Sequence, residues 1–203
     1  CSALPSWSEP EVPKSRRTTR MVATTRIAAL TRADAELLAA ARLRAARDQP
    51  YLAAALFAMV PVSAPGFGTF AVDPWWRLYV DMDTARSWGM ASTAAVLVHE
   101  AHHLLRNHHD RARSLGVTGA HHETWNLATD AEINDDLFAE VQHERTALHP
   151  VMPADLGLAE GRMAEHYFAH LDGRTHEQVE DEGSGVDGLV KPWEGRREDG
   201  VDA

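Results

Sequence analysis

The sequence of 203 residues contains one cysteine, Cys1, which excludes an internal disulfide and a zinc site made of cysteines alone. It has no apolar run close to the roughly 20 residues that cross a bilayer, and no basic segment leads into an apolar signal core. Bases are scarce, with 20 Lys and Arg against 30 Asp and Glu, whereas duplex binding needs cations that neutralise phosphates. We therefore expect a soluble, cytoplasmic protein without membrane or nucleic-acid partners, although a mature lipoprotein could also begin with cysteine.

Composition divides the chain into three parts. Residues 1–20 are rich in Pro, Ser and Arg without hydrophobic periodicity, which predicts a disordered basic arm. Residues 21–172 carry the apolar patterns of one folded domain of ordinary size. Residues 173–203 are acidic and Gly-rich, and we expect a tail or linker there.

Periodicity within the central part predicts a predominantly helical α+β domain with one small sheet. Thr31 and Asp34 have the spacing of a capping box before a helix that ends near Asp48. Ser92 or Thr93 can cap a second, long helix. We expect the helices over 31–48, 51–59, 92–113, 123–142 and 159–171.

Strand signals are confined to one short region. Thr69–Val72 and Arg77–Val80 are β-type runs separated by the turn signal Asp73-Pro74, which predicts a hairpin. Val60–Gly68 contains two prolines and two glycines, and we interpret it as a loop.

The sequence is unusually rich in histidine, and more than half of its 12 histidines lie between His99 and His122. His99, Glu100 and His103 form the pattern H-E-x-x-H on a predicted apolar helix. Positions i and i+4 share a helix face, so both imidazoles can bind one zinc ion. Glu100 lies beside that face, where it can act as a general base on water next to the metal. The spacing does not distinguish zinc from other divalent transition metals.

A third ligand must come from elsewhere, and three residues are candidates. His109 has the spacing of an extended motif, but without a glycine after His103 we expect the helix to continue, which puts His109 about 15 Å beyond His99. Asp130 lies on the next long helix, within a polar stripe that also contains Asn126 and Asn134 and suits ligation and its supporting hydrogen bonds. Glu132 points roughly 200° away from Asp130, so only one of them faces the metal, and the stripe favours Asp130.

From Ala41 to about Trp193 the chain resembles the bacterial metallopeptidase domain that often precedes a von Willebrand factor A-like domain. The resemblance covers about three quarters of the chain, and its most specific pieces are the H-E-x-x-H motif and the helix with Trp125, Asn126 and Asp130. The matching segments are Ala41–Arg44, Gln49–Tyr51, Arg77–Asp81, Val98–His109, Trp125–Asp130, Ile133–Asn134, Met163–Tyr167, Gly183–Gly185 and Pro192–Trp193.

This resemblance implies a zincin-like fold, with two long helices that carry the metal ligands, and a Zn²⁺-dependent peptidase acting on a peptide or protein. It supports Asp130 as the third ligand and implies an AAA-type ATPase or a von Willebrand factor A-like domain as partner. Arg77–Val80 would then be the edge strand that pairs with an extended substrate. Two alternatives stay open: a non-catalytic scaffold with a structural metal, and a metal-dependent endoribonuclease that uses His109.

Overall fold

The computed structural model describes residues 27–138 and 150–171. The expected arm, the expected tail and the last residues of the helix predicted over 123–142 lie outside the described residues. Helices predominate, beside one three-stranded sheet, which is compatible with the α+β class. The helices are α1 (Arg32–Asp48), α2 (Ala53–Ala58), α3 (Met82–Leu105), α4 (His108–Leu115), α5 (His122–Phe138) and α6 (Ala164–Leu171), with single 3₁₀ turns at Pro50–Leu52 and Pro153–Leu156.

The sheet has the order β1-β3-β2, with β1 at Val60–Ser63, β2 at Phe70–Val72 and β3 at Arg77–Val80. The predicted hairpin is confirmed, because β2 and β3 pair antiparallel. The loop expected before it was wrong, since β1 pairs parallel with β3. The expected edge strand was also wrong: Arg77–Val80 is the central strand, and both of its sides are occupied by neighbouring strands.

Proline at position 61 is tolerated because β1 is an edge strand. The amides of Val60 and Ala64 donate to carbonyls on the β3 side, whereas Ser63 faces outwards and exchanges two hydrogen bonds with Ala28. Pro61 alternates with Val60 and so shares the outward direction of Ser63. Its missing N–H therefore removes no hydrogen bond from the pairing with β3.

Helix α3 begins ten residues earlier than Ser92, the first of the two expected caps. Asp81 caps it by accepting hydrogen bonds from the amides of Asp83 and Thr84. A kink at Gly89, where φ is 77° and ψ is 173°, then changes the direction of the helix. Thr93 is buried at this kink, and its hydroxyl donates to the carbonyls of Ala85 and Gly89.

The long helix expected to reach Arg113 is interrupted at Asn107, where φ is 54° and ψ is 43°. Asparagine enters this left-handed region at lower cost than most residues. The chain turns there and resumes as α4, so His109 lies against β2 and donates a hydrogen bond to the carbonyl of Val72. The expectation of a continuous helix was therefore wrong.

Two apolar clusters meet along α3 and α5. The first joins α1, α2, the sheet and α3, with Leu56, Phe70 and Leu97 fully buried. The second joins α4, α5 and α6 around Trp125 and Tyr167, which are also fully buried. Helix α3 contacts α1 and α5, and α5 also contacts α6, so each of the two helices that carry the candidate ligands packs against a further helix. None of the helices in the described residues combines the length and apolar character that a bilayer span requires.

Candidate metal centre

His99, His103 and Asp130 converge where α3 contacts α5. Within residues 27–138 and 150–171, they form the one group of three or more His, Cys, Asp and Glu side chains that could hold a metal ion, with donor atoms within 4.8 Å of one another. Oδ1 of Asp130 lies 3.3 Å from Nε2 of His99 and 3.2 Å from Nε2 of His103. The two Nε2 atoms are 2.9 Å apart.

This donor set fits a divalent cation of the zinc type. Zinc takes nitrogen and oxygen ligands at about 2.0–2.2 Å in tetrahedral geometry, which places neighbouring donor atoms about 3.3 Å apart. The three separations are close to that value. Two imidazole nitrogens and a carboxylate oxygen are also ligands that zinc prefers.

Asn134 sets the orientation of His99. Nδ1 of His99 lies 3.0 Å from Oδ1 of Asn134, and Nδ2 of Asn134 donates to the carbonyl of Val151 at 3.1 Å. The second bond fixes the amide so that its oxygen faces the ring, and His99 then donates through Nδ1. The lone pair of Nε2 is left for a metal, which is the usual role of a hydrogen-bond partner behind a ligating histidine.

Asp130 carries a negative charge in this cluster. Burial alone would raise the pKa of its carboxyl, but the two imidazoles beside it, His103 at 3.2 Å and His99 at 3.3 Å, outweigh burial and hold that pKa well below its usual range. Burial lowers the pKa of His103, whose ring is completely inaccessible. An ionised carboxylate next to a neutral imidazole is the protonation state in which both groups can bind a cation.

Glu100 is buried beside the cluster and belongs to none of the donor pairs. It is 3% exposed, and among the described residues its Oε2 atom has no hydrogen-bond partner. Burial raises the pKa of Glu100 to about 8, while the charge of His99 lowers it and that of Asp130 raises it. A buried carboxylate oxygen left without a partner is costly in a folded protein, and such groups concentrate at functional sites.

The other two candidates for the third ligand lie elsewhere. The carboxylate of Glu132 is occupied by Arg111 at 2.7 Å and by the amide of Ala164 at 2.5 Å. The ring of His109 faces β2 instead of the cluster. The spacing of His109 that suggested an endoribonuclease site therefore does not correspond to a shared ligand set in the described residues.

Sequence reasoning missed the histidine that supports His103. Nδ1 of His103 lies 2.9 Å from Nδ1 of His108, which follows the break at Asn107. On one continuous helix, residues 103 and 108 would point about 140° apart. The signal that could have revealed the contact is Asn107 itself, since asparagine adopts the left-handed conformation that redirects the chain.

A family model described as "putative metallopeptidase domain" matches residues 33–192. The chain belongs to this family. Neither the curated proteins nor the solved structures contain a significant match to it. The description of the family and the cluster of His99, His103 and Asp130 both indicate that this site binds a metal ion. The zincin-like fold, the von Willebrand factor A-like neighbour and the ATPase partner stay predictions.

Proposed function

We propose that the protein is a zinc-dependent metallopeptidase in which His99, His103 and Asp130 hold the ion and Glu100 is the general base. The observation that carries this proposal is the convergence of the three donor atoms from α3 and α5, at separations of 2.9–3.3 Å. The metallopeptidase family supports it independently. The H-E-x-x-H motif, with two zinc ligands four positions apart and a glutamate directly after the first, is a signature of metalloproteases.

The number of donors favours a catalytic ion over a structural one. Structural zinc sites are closed by four protein ligands, whereas catalytic sites have three and keep one position for solvent or substrate. Among residues 27–138 and 150–171, the cluster has three members. A structural metal in a scaffold module would need a fourth ligand, so the cluster supports the enzyme over this second candidate.

The chain's own residues can perform the proton transfers of amide hydrolysis. A bound zinc ion supplies a Lewis acid that polarises the carbonyl and makes water more acidic. Glu100 accepts a proton from the attacking water as the new C–O bond forms, and returns it to the amine as the C–N bond breaks. Asn134 meanwhile keeps Nε2 of His99 free of hydrogen.

The proposal is tested with the variant Glu100→Gln. It keeps the size of the side chain but cannot accept the proton, so we expect one bound zinc per chain and loss of turnover. A peptide library analysed by mass spectrometry serves as the substrate. Glu36→Gln is the matched control, because Glu36 is an exposed glutamate on α1 whose contact is a surface pair with Arg32.

Two results would contradict the proposal. Cleavage by the Glu100→Gln variant at the wild-type rate would exclude Glu100 as the base. Zinc removal that unfolds the chain, combined with a wild-type protein that cleaves no peptide, would favour the scaffold with a structural metal.

A further inference from the structure

His108 contacts the proposed ligand His103 from the side opposite the metal centre. Their Nδ1 atoms are 2.9 Å apart, the ring centroids are 5.1 Å apart, and the rings meet edge to face. Both rings are completely buried, so water cannot separate them. Two ring nitrogens at this distance form a hydrogen bond in which one donates and the other accepts.

The metal centre determines which nitrogen donates. Nε2 of His103 faces Nε2 of His99 and Oδ1 of Asp130, and it can bind a cation only through its lone pair. A neutral imidazole carries its one hydrogen on the other nitrogen. His103 must therefore donate through Nδ1, and His108 must accept through Nδ1.

The far side of His108 leads to the same assignment independently. Its Nε2 lies 3.6 Å from Oε1 of Glu132 and, within the described part of the chain, has no hydrogen-bond partner. Arg111 and Arg106 hold that carboxylate in place, at 2.7 Å and 3.1 Å. A buried carboxylate favours a hydrogen on the nitrogen that faces it, which leaves the lone pair of His108 on Nδ1.

We propose that His108 is a positioning residue that increases the zinc affinity of the site. Its Nδ1 accepts the hydrogen of His103, holds that ring in the tautomer with a free Nε2, and fixes its orientation. Glu132 in turn fixes the tautomer of His108. This inference rests on the metal site proposed above. Loss of such a supporting partner typically lowers metal affinity 10- to 100-fold.

Zinc affinity, measured by competition with a chelating dye, tests this role with three variants. His108→Leu removes the acceptor, and we expect 10- to 100-fold weaker binding. His108→Asn places a carboxamide oxygen near the position of Nδ1, and we expect most of the affinity to return. His109→Leu is the matched control, since His109 is a buried histidine next in sequence that faces Val72 instead of His103; we expect wild-type affinity.

A measurement on the wild-type protein keeps the test valid if His108→Leu does not fold. In the zinc-bound protein, the ring ¹⁵N chemical shifts should show the hydrogen of His103 on Nδ1 and that of His108 on Nε2. A hydrogen on Nδ1 of His108 would overturn the inference, as would equal zinc affinities of wild type and a folded His108→Leu. A wild-type protein that binds no zinc would overturn the proposed function as well, so the two failures are distinguishable.

Discussion

His109 is a buried histidine whose protonation should destabilise the protein as the pH falls. Its ring is 4% exposed, between α4 and the sheet. Burial lowers its pKa to about 4, against the favourable charge of Asp73 and the hydrogen bond to Val72, and with small unfavourable contributions from His108 and Arg113. Within the described residues, Nε2 has no hydrogen-bond partner that could stabilise an added proton.

The sign and size of the effect follow from the pKa difference between the two states. The pKa of this group is 6.5 in the unfolded chain and about 4 in the folded chain. The unfolded chain therefore binds more protons between these two pH values, and the free energy of unfolding decreases as the pH is lowered. At 1.36 kcal/mol per pKa unit, His109 should lower the free energy of unfolding by about 2 kcal/mol between pH 7 and pH 5. The loss is complete below pH 4, at about 3 kcal/mol.

The variant His109→Asn isolates this contribution. Asparagine does not titrate, and its amide can still donate to the carbonyl of Val72. We expect urea denaturation, followed by tryptophan fluorescence, to show a loss of stability between pH 7 and pH 5 that is about 2 kcal/mol smaller in the variant than in the wild type. The residues of the metal centre are the same in both proteins, so their pH dependence cancels. Equal losses in the two proteins would refute the burial argument.

Three further substitutions test other parts of the structure. Asn134→Ala removes the acceptor behind His99, and a dye competition assay should show 10- to 100-fold weaker zinc binding; unchanged affinity would contradict the role of Asn134. Gly89→Ala puts a side chain where φ is 77° and ψ is 173°, and urea denaturation should show a loss of about 1–3 kcal/mol. Thr31→Ala removes the cap of α1 and should cost about 0.5–2 kcal/mol by the same assay.

Local periodicity predicted the pair of histidines that meets at the centre. His99 and His103 share a face on any helix that contains both. The polar stripe on the next helix favoured Asp130 but left Glu132 and His109 open as third ligands, and the family resemblance supported Asp130 further. The cap at Thr31 is equally local, since it depends on residues three positions apart.

Features that depend on distant parts of the chain could not be predicted. Strand β1 contains Pro61, which normally indicates a loop, and it is a strand because β3, more than fifteen residues away, supplies a parallel partner. The left-handed turn at Asn107 is favoured by the tertiary contacts that it allows. It brings His108 against His103 and His109 against Val72. Val72 lies more than thirty residues before His109, so no sequence window around Asn107 contains that contact, and the contact between His103 and His108 forms only once the helix is interrupted between them.

The most direct test of the central claim is a crystal grown with zinc and measured on both sides of the zinc absorption edge. We expect one strong anomalous peak within about 2.0–2.2 Å of Nε2 of His99, Nε2 of His103 and an oxygen of Asp130. A crystal at full zinc saturation without a peak there, or with the peak coordinated by Glu132 or His109 instead, would contradict it.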